Sequence, residues 1–181
     1  MKIVSIIIPH YNGKELLHNC INSIYQNISI ENFEIIVVDN GSKDESVKNI
    51  RQLFSDVIII SNKENVGYSG GCNIGAKNAE GKYLIFLNND TEHSKDWIEK
   101  LVSFLDSNPD TFAAQPKILN IKNKEYFDYA GGAGGFIDHF CFPYVKGRVF
   151  NTLEKDNGQY NKASKIFWSS GAAMIVRADM F

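Results

Sequence analysis

Four short apolar segments, separated by segments with helical patterning, constrain the fold of this chain more than any other feature. They are the runs IVSIIIP (3–9), FEIIVVD (33–39), DVIIIS (56–61) and KYLIFLN (82–88). Each run is continuous rather than alternating, which is typical of strands buried on both faces of a parallel sheet. The sequence therefore predicts four buried parallel strands.

The segments between these runs carry the patterns of crossover helices. Between the first two runs, apolar residues recur at helical spacing, at Leu16, Leu17, Cys20, Ile21 and Ile24. Before the next helix, Ser42 and Glu45 have the spacing of a capping box. A further helix is predicted over 95–106. Alternating strands and helices indicate an α/β fold with a doubly wound, mostly parallel sheet.

The length and the later pattern suggest one domain with a less regular second part. A chain of 181 residues suits a single domain, 1–181. Segment 112–119 is predicted to form another strand, and the aromatic, glycine-rich segment 126–150 is expected to form hairpins and loops. Segment 166–181 is predicted to form a strand followed by the first turn of a helix.

Charge and cysteine content exclude several classes of protein. The net charge of −2 gives no broad positive field, so no nucleic-acid partner is expected. Three cysteines without a Cys-x-x-Cys pair support neither a disulfide framework nor a zinc ribbon. No stretch reaches the ~18 apolar residues of a spanning helix. We expect a cytoplasmic location, with peripheral association at the inner face of a membrane left open.

Polar or glycine-rich segments follow all four predicted strands. They read PHYNG, DNGSKDES, NKENVGYSGG and NNDTE in chain order. Parallel topology places these segments at one edge of the sheet, and ligands of such sheets bind outside the carboxyl ends of the strands. The sequence therefore predicts a binding site along this edge.

Two of these segments suggest a nucleotide ligand. Asp39 either accepts hydrogen bonds from a base or ribose, or simply forms a turn before the next helix. The segment from Asn65 through Gly67 to Asn73 lets a phosphate approach a helix N-terminus, or else it allows tight helix packing. Neither a Gly-x-Gly-x-x-Gly after the first strand nor a P-loop is present.

Asp90 is the candidate metal ligand. A hard cation such as Mg²⁺ or Mn²⁺ often uses one or two carboxylates together with substrate phosphates. The alternative is a solvated acidic turn before the next helix. His93 lies near enough in sequence to add a contact to a metal or phosphate. Trp168, before Ser169-Ser170-Gly171, either carries a sugar ring or packs in the core.

Taken together, these segments resemble the family 2 glycosyltransferases of the GT-A fold, in particular the bacterial rhamnosyltransferase-like members. The matching stretches cover nearly the whole chain in the same order. They are SIIIPHYNG (5–13), IIVVDNGSKDES (35–46), NVGYSGGCNIGAKNAEGKYLIFLNNDT (65–91), DYAGGAGGFID (128–138) and WSSGAAMIVRADMF (168–181).

The resemblance implies a GT-A fold, a doubly wound sheet with a small antiparallel addition, in the N-terminal, C-terminally truncated part of such an enzyme. Residues 1–108 are expected to bind the donor, and 109–181 to begin an incomplete acceptor-side half. The implied activity is inverting transfer of a sugar from a nucleotide-diphosphate sugar, with dTDP- or UDP-sugars as leading donors. The implied acceptor is a hydroxyl of a glycan or lipid-linked saccharide in cell-surface polysaccharide synthesis.

The resemblance also assigns residues. The implied nucleotide-binding residues are Pro9, Tyr11, Asp39, Asn65, Gly67, Asn73, Asn88 and Asn89. Trp168, Gly171 and Ala172 are implied on the acceptor side. Asp90 corresponds to the metal ligand of the Asp-x-Asp motif, for Mn²⁺ or Mg²⁺, while Asn88 stands where the motif often has its first aspartate. One carboxylate remains, so low cation affinity without nucleotide is expected.

The catalytic base is expected beyond Phe181, with Asp138 as a weak alternative within the chain. The 181-residue chain is therefore expected to bind nucleotide but to transfer sugar poorly. Two other functions stay open: a non-catalytic nucleotide-binding module with a degenerate site, and a sugar-1-phosphate nucleotidyltransferase. The latter lacks support because PHYNGKELL after the first strand is not a glycine-rich, arginine-containing loop.

Overall fold

The computed structural model describes residues 2–181. Its strands are β1 (Val4–His10), β2 (Phe33–Asp39), β3 (Ile58–Ser61), β4 (Tyr83–Leu87), β5 (Ala113–Ala114), β6 (Gly135–Ile137), β7 (Pro143–Val145), β8 (Arg148–Val149), β9 (Thr152–Leu153) and β10 (Ala173–Arg177). Its helices are α1 (Lys14–Asn27), α2 (Ser46–Leu53), α3 (Gly67–Lys77) and α4 (Trp97–Ser107), and a 3₁₀ turn covers Ala178–Met180.

A six-stranded sheet forms the centre of the molecule, in the order β3-β2-β1-β4-β10-β5. Strands β1 to β4 are parallel to one another, whereas β10 runs antiparallel between β4 and β5. The four predicted parallel strands are present, but only three of them are buried: β3 lies at the sheet edge and has no buried residue. The predicted fold class is confirmed: a doubly wound, mostly parallel sheet with an antiparallel addition.

Helices cover both faces of this sheet. One apolar cluster joins β1, β2 and β4 to α1, α2 and α4, and a second joins the opposite faces of these strands to α3. Strand β1 contributes to both, with Ile6 and Ile8 in the first cluster and Ile7 in the second. Burial on both faces explains why these strands read as continuous apolar runs.

Helix α3 approaches the sheet closely because it carries a glycine at the contact. A Cβ on Gly75 would lie 2.3 Å from Cγ2 of Ile7 and 3.2 Å from Cγ2 of Val38. No larger residue fits there without a shift of the core.

Several predicted boundaries are wrong. The strand predicted over 112–119 is limited to β5, because Gln115 leaves the sheet to bond Gly131 and Ser170. The capping box is not formed: α2 begins at Ser46, and the hydroxyl of Ser42 instead accepts a hydrogen bond from the amide of Asn12 at 2.9 Å. The helix predicted over 95–106 begins at Trp97, because Asp96 has a left-handed backbone (φ 59°).

The second part of the chain contains the predicted hairpins. Strands β6 and β7 form one, and β8 and β9 form another. The prediction for 166–181 is confirmed as strand β10, although the turn after it is 3₁₀ rather than α-helical. Across residues 2–181, no helix is both long and apolar enough to cross a bilayer.

Candidate functional site

The carboxyl ends of β1 and β2 lie side by side and begin the site. His10 pairs with Asp39 in the strand register, and the amide of Asn40 donates to the carbonyl of His10 at 2.8 Å. Pro9 and Asp39 are buried, whereas Tyr11 is 48% exposed. These three predicted residues therefore lie together, with the Tyr11 ring at the surface.

The carboxylate of Asp39 is only partly used by the protein. Its Oδ1 accepts a hydrogen bond from the amide of Ser42 at 2.8 Å, as expected of a turn-forming aspartate. Within residues 2–181 its Oδ2 has no hydrogen-bond partner. Asp39 thus forms the turn expected of it and leaves one carboxylate oxygen without a protein partner, while its contact to a base or ribose stays a prediction.

Asn40 connects this turn to the start of α3. Its side-chain nitrogen donates to the carbonyl of Gly67 at 3.2 Å, and its oxygen accepts from the side chain of Asn62 at 3.0 Å. Sequence reasoning treated Asn40 only as part of a turn. Its position directly after a buried strand was the sequence signal that it could contribute to the site.

The segment predicted to approach a phosphate does form a helix N-terminus. Asn65 accepts a hydrogen bond from the amide of Gly67 at 2.9 Å, and α3 begins there without a side-chain cap. Asn73 is exposed on the second turn of α3. Asn65 and Gly67 therefore form the N-terminal end of α3, whereas Asn73 lies further along the helix.

The turn after β4 is held by its backbone. The amide of Asn88 donates to the carbonyl of Ala172 at 3.0 Å. The carbonyl of Asn88 accepts from the hydroxyl of Thr91 at 2.9 Å. The thiol of Cys20 also reaches that carbonyl, at 3.6 Å. Asp90 follows with an exposed side chain. A fixed turn thus presents one carboxylate to solvent.

His10 was missed as a site residue by the sequence reasoning. It is 1% exposed, and its ring lies between Asn89 and Ser46, with Nδ1 2.7 Å from the Asn89 nitrogen and Nε2 2.9 Å from the Ser46 hydroxyl. Burial lowers its pKa, and the nearby Asp44 and Asp39 offset this only in part. His10 is therefore neutral at pH 7. A histidine closing an otherwise apolar strand was the available signal.

His93 does not add a ligand to the site. Its Nδ1 lies 2.7 Å from the Ser23 hydroxyl and its Nε2 3.2 Å from the Thr91 hydroxyl, and its ring stacks on Trp97 at 5.0 Å. Burial lowers its pKa to about 4, although Glu92 acts in the opposite direction. Both ring nitrogens have protein partners, so the suggested contact to a metal or phosphate is wrong.

Two of the three predicted acceptor-side residues lie against the donor-side elements. The carbonyl of Gly171 accepts a hydrogen bond from the hydroxyl of Tyr68 in α3, and the carbonyl of Ala172 accepts from Asn88. Trp168 instead packs on Gly135 and donates its indole N–H to the carbonyl of Phe136 at 3.1 Å. Its ring supports the β6–β7 hairpin, which favours the packing interpretation.

Asp138, the weak alternative for a catalytic base, is occupied by its own turn. Its Oδ1 accepts hydrogen bonds from the amides of Phe140 at 2.8 Å and Phe142 at 2.9 Å. These bonds close the turn between β6 and β7, and the catalytic alternative for Asp138 stays a prediction.

The donor set around Asp90 fits a cation shared with a ligand. Within residues 2–181, no group of three or more His, Cys, Asp and Glu side chains is arranged to hold a metal ion. One exposed carboxylate supplies one or two oxygen ligands, and Mg²⁺ or Mn²⁺ takes the remainder from phosphates and water. The site therefore suits a cation that arrives with a nucleotide.

Comparison with known proteins identifies the family. The model of glycosyl transferase family 2 matches residues 5–179. The chain belongs to glycosyl transferase family 2. This result confirms the family named from the sequence. The narrower likeness to rhamnosyltransferases stays a prediction.

Curated relatives of this family 2 chain carry the same general name. An uncharacterized glycosyltransferase of Haemophilus influenzae is 37% identical over 122 residues, which is 66% of this chain and 37% of the relative. The uncharacterized glycosyltransferase YfnE of Bacillus subtilis is 41% identical over 98 residues, 53% of this chain and 25% of the relative. The matched regions thus span well under half of these relatives.

Solved structures show that this family 2 chain has the GT-A fold. S. aureus TarS 1–349 superposes with a TM-score of 0.66 and 18% identity, over 99% of this chain and 48% of that one. The mannosyltransferase PcManGT of Pyrobaculum calidifontis, solved with GDP-Man and Mn²⁺, gives a TM-score of 0.58 and 21% identity, over 66% of this chain and 36% of that one.

Proposed function

We propose that this chain is the donor-binding part of an inverting glycosyltransferase that takes a nucleoside diphosphate sugar together with Mn²⁺ or Mg²⁺. In this proposal residues 1–108 bind the donor and 109–181 begin the acceptor side. The observation that carries it is a pair of hydrogen bonds that join two donor-side elements to the loop before β10 at one sheet edge. Tyr68 of α3 bonds Gly171, and Asn88 before the exposed Asp90 bonds the adjacent Ala172.

The nucleoside end of the donor lies over the ends of β1 and β2. The free Oδ2 of Asp39 accepts hydrogen bonds from a base or ribose, and the carboxylate charge strengthens such bonds. The exposed ring of Tyr11 offers an aromatic surface beside them. Pro9 adds buried apolar surface at the end of β1. This arrangement favours a planar, hydrogen-bonding ligand.

The diphosphate lies between the N-terminus of α3 and Asp90. The partial positive charge of an uncapped helix end favours anions, and Asn65 and Gly67 fix that end. Asp90 would hold a divalent cation there, and the cation would supply positive charge to stabilise the leaving diphosphate. Asn88 and Asn89 position this turn without adding a second carboxylate, so we expect weak cation binding in the absence of nucleotide.

The acceptor side begins at Gly171 and Ala172, whose carbonyls contact the donor-side elements. We propose a glycan or lipid-linked saccharide as acceptor, in cell-surface polysaccharide synthesis at the cytoplasmic face of a membrane. Oδ1 of Asp138 is engaged by its own turn, and we assign the general base, as the family resemblance implies, to a carboxylate beyond Phe181. The donor is proposed to be a dTDP- or UDP-sugar, including the rhamnosyl donors that the sequence resemblance suggests.

Thermal melts test the donor site. The chain is heated with UDP, dTDP, GDP or CMP, each with Mn²⁺ or with EDTA, alongside Asp90→Ala. A ligand at ~100 times its dissociation constant adds about 2.7 kcal/mol, which is a rise in Tm of roughly 5 to 11 °C for a domain of this size. We expect a nucleotide-selective rise that requires Mn²⁺ and is lost in Asp90→Ala. No shift with any nucleotide would contradict the proposal.

The single carboxylate at Asp90 favours one second candidate, a nucleotide-binding module without transferase activity. Both functions predict nucleotide binding, so the melts do not separate them. Sugar transfer by a chain extended to the length of the relatives does: turnover of a nucleotide sugar supports the transferase, and binding without turnover supports the module.

A further inference from the structure

A chain of hydrogen bonds runs from the turn before Asp90 to the start of α2. Its central member is His10, whose ring contacts the side chains of Asn89 and Ser46. The Ser46 hydroxyl donates in turn to Oδ1 of Asp44, and Oδ2 of Asp44 accepts from the amide of Gly13 at 2.7 Å. The chain joins three segments that are distant in sequence.

The donors and acceptors of this chain fix the state of the imidazole. The side-chain nitrogen of Asn89 can only donate, so Nδ1 of His10 accepts and carries no proton. The proton is then on Nε2, which donates to Ser46. A neutral imidazole with one donor and one acceptor satisfies both neighbours, which a buried polar ring requires.

We propose that His10 is a positioning residue that holds Asn89, and through it the turn carrying Asp90, at the nucleotide edge of the sheet. The inference rests on the proposed function, because it assigns His10 a part in cation-assisted nucleotide binding. His10 itself touches neither the ion nor the nucleotide.

The contacts of the turn explain why this bond matters. The backbone of Asn88 is held by Ala172 and Thr91, but Asp90 is exposed and has no protein hydrogen bond among residues 2–181. Asn89 lies between Asn88 and Asp90, and its side chain bonds His10 at the end of β1. Loss of that bond removes the turn's only side-chain contact to β1 among residues 2–181, while Asn88 stays bound to Ala172 and Thr91 to His93. The expected result is a less ordered Asp90, at a cost to cation binding rather than to the nucleoside contacts.

The alternative is that His10 only fills space in the core. A substitution that keeps an aromatic ring but removes both hydrogen bonds separates the two roles, and His10→Phe does this, with only a slightly larger ring at the buried position. His10→Gln is the conservative rescue, because its amide oxygen accepts from Asn89 and its amide nitrogen donates to Ser46. His139→Gln is the matched control, because His139 is an exposed histidine outside the site.

The first arm of the test is NMR of the wild-type chain without ligand. A long-range ¹H–¹⁵N spectrum at pH 7 should show His10 neutral and protonated at Nε2. The side-chain amide signals of Asn89 should shift in His10→Phe and not in His139→Gln. A His10 protonated at Nδ1, or Asn89 signals that are the same in all three proteins, would overturn the proposal.

The second arm is calorimetry with UDP, dTDP and GDP, each in EDTA and in Mn²⁺. In His10→Phe, the factor by which Mn²⁺ raises nucleotide affinity should fall about fivefold or more, as expected for the loss of one hydrogen bond. Affinity in EDTA should change by less than about twofold, and His10→Gln should regain the Mn²⁺ factor. An unchanged Mn²⁺ factor in His10→Phe, or equal loss in both variants, would overturn the proposal.

The two arms also separate this inference from the function on which it rests. If the wild-type chain binds none of the three nucleotides, the proposed function is contradicted, and the NMR spectrum alone decides whether His10 holds Asn89. If the nucleotides bind to the wild-type chain and His10→Phe binds them as wild type does, the proposed function stands and the inference fails.

Discussion

The amide of Asn88 donates a hydrogen bond to the carbonyl of Ala172 at 3.0 Å, where the last parallel strand of the sheet ends. This contact joins the turn of the candidate metal ligand to the loop before the antiparallel strand β10. The neighbouring carbonyl, of Gly171, is held by the hydroxyl of Tyr68. The two bonds tie the donor side of the site to its acceptor side.

Removal of the Tyr68 hydroxyl should therefore loosen the acceptor-side loop. Tyr68→Phe is expected to lose about 0.5–1.5 kcal/mol of unfolding free energy, the usual net value of one hydrogen bond. Urea denaturation measures this loss. Tyr11→Phe is the matched control, because its exposed hydroxyl has no hydrogen-bond partner within residues 2–181. Equal stability of Tyr68→Phe and wild type would show that the bond contributes nothing.

The charge of Asp39 should matter for nucleotide binding more than for folding. In Asp39→Asn the side-chain oxygen still accepts from the amide of Ser42, so the unfolding free energy should stay within about 0.5 kcal/mol. The ligand, however, loses a charge-assisted hydrogen bond, and its affinity should fall roughly tenfold. Calorimetric titration with the nucleotide selected by the melts tests this. An unchanged affinity would exclude Asp39 from the nucleoside contacts.

Burial of His93 predicts a loss of stability in mild acid. Its pKa is lowered from 6.5 to about 4, so between these values the unfolded state binds a proton that the folded state does not. Stability is therefore present above pH 6.5 and decreases as the pH falls toward 4, by at most about 3 kcal/mol. Urea denaturation from pH 7 to pH 5 measures the slope.

The matched variant is His93→Gln, in which this contribution is absent. Its unfolding free energy should depend less on pH over the same range. Some dependence should remain, because burial also lowers the pKa of His10. The same pH dependence in the variant and the wild type would contradict the assignment to His93.

The close packing of α3 predicts an unusual response to a small substitution. In Gly75→Ala the new methyl group would approach Ile7 to 2.3 Å, so the core must shift even though alanine is the better helix former. We expect a loss of about 1–3 kcal/mol. Ser69→Ala on an exposed position of the same helix is the control, with little change expected. A stabilised Gly75→Ala would show that α3 can move away from the sheet.

Much of this fold could be predicted because its signals are local. The strand predicted over 33–39 agrees with β2, and Asp39 at its end and Asp90 after β4 lie at the same edge of the sheet. Those strands are buried on both faces, so each carries a continuous apolar run. The family resemblance rested on the order of these same segments and is confirmed by the family match.

The contacts that shape the site could not be predicted in the same way. His10 and Asn89 are 79 residues apart, and Tyr68 and Gly171 are 103 residues apart, so their hydrogen bonds depend on the assembled sheet. The capping box failed for a similar reason. The hydroxyl of Ser42 bonds the distant Asn12 instead of the helix that follows it.

Paramagnetic NMR tests the central claim most directly, because Mn²⁺ broadens the signals of nearby amides. A ¹H–¹⁵N spectrum is recorded with UDP, dTDP or GDP and substoichiometric Mn²⁺, with Mg²⁺ as the diamagnetic control. The amides around Asp90 should broaden first and only with nucleotide present, followed by those at the start of α3. Broadening that is centred on another acidic residue, such as Glu125, or that needs no nucleotide, would contradict it.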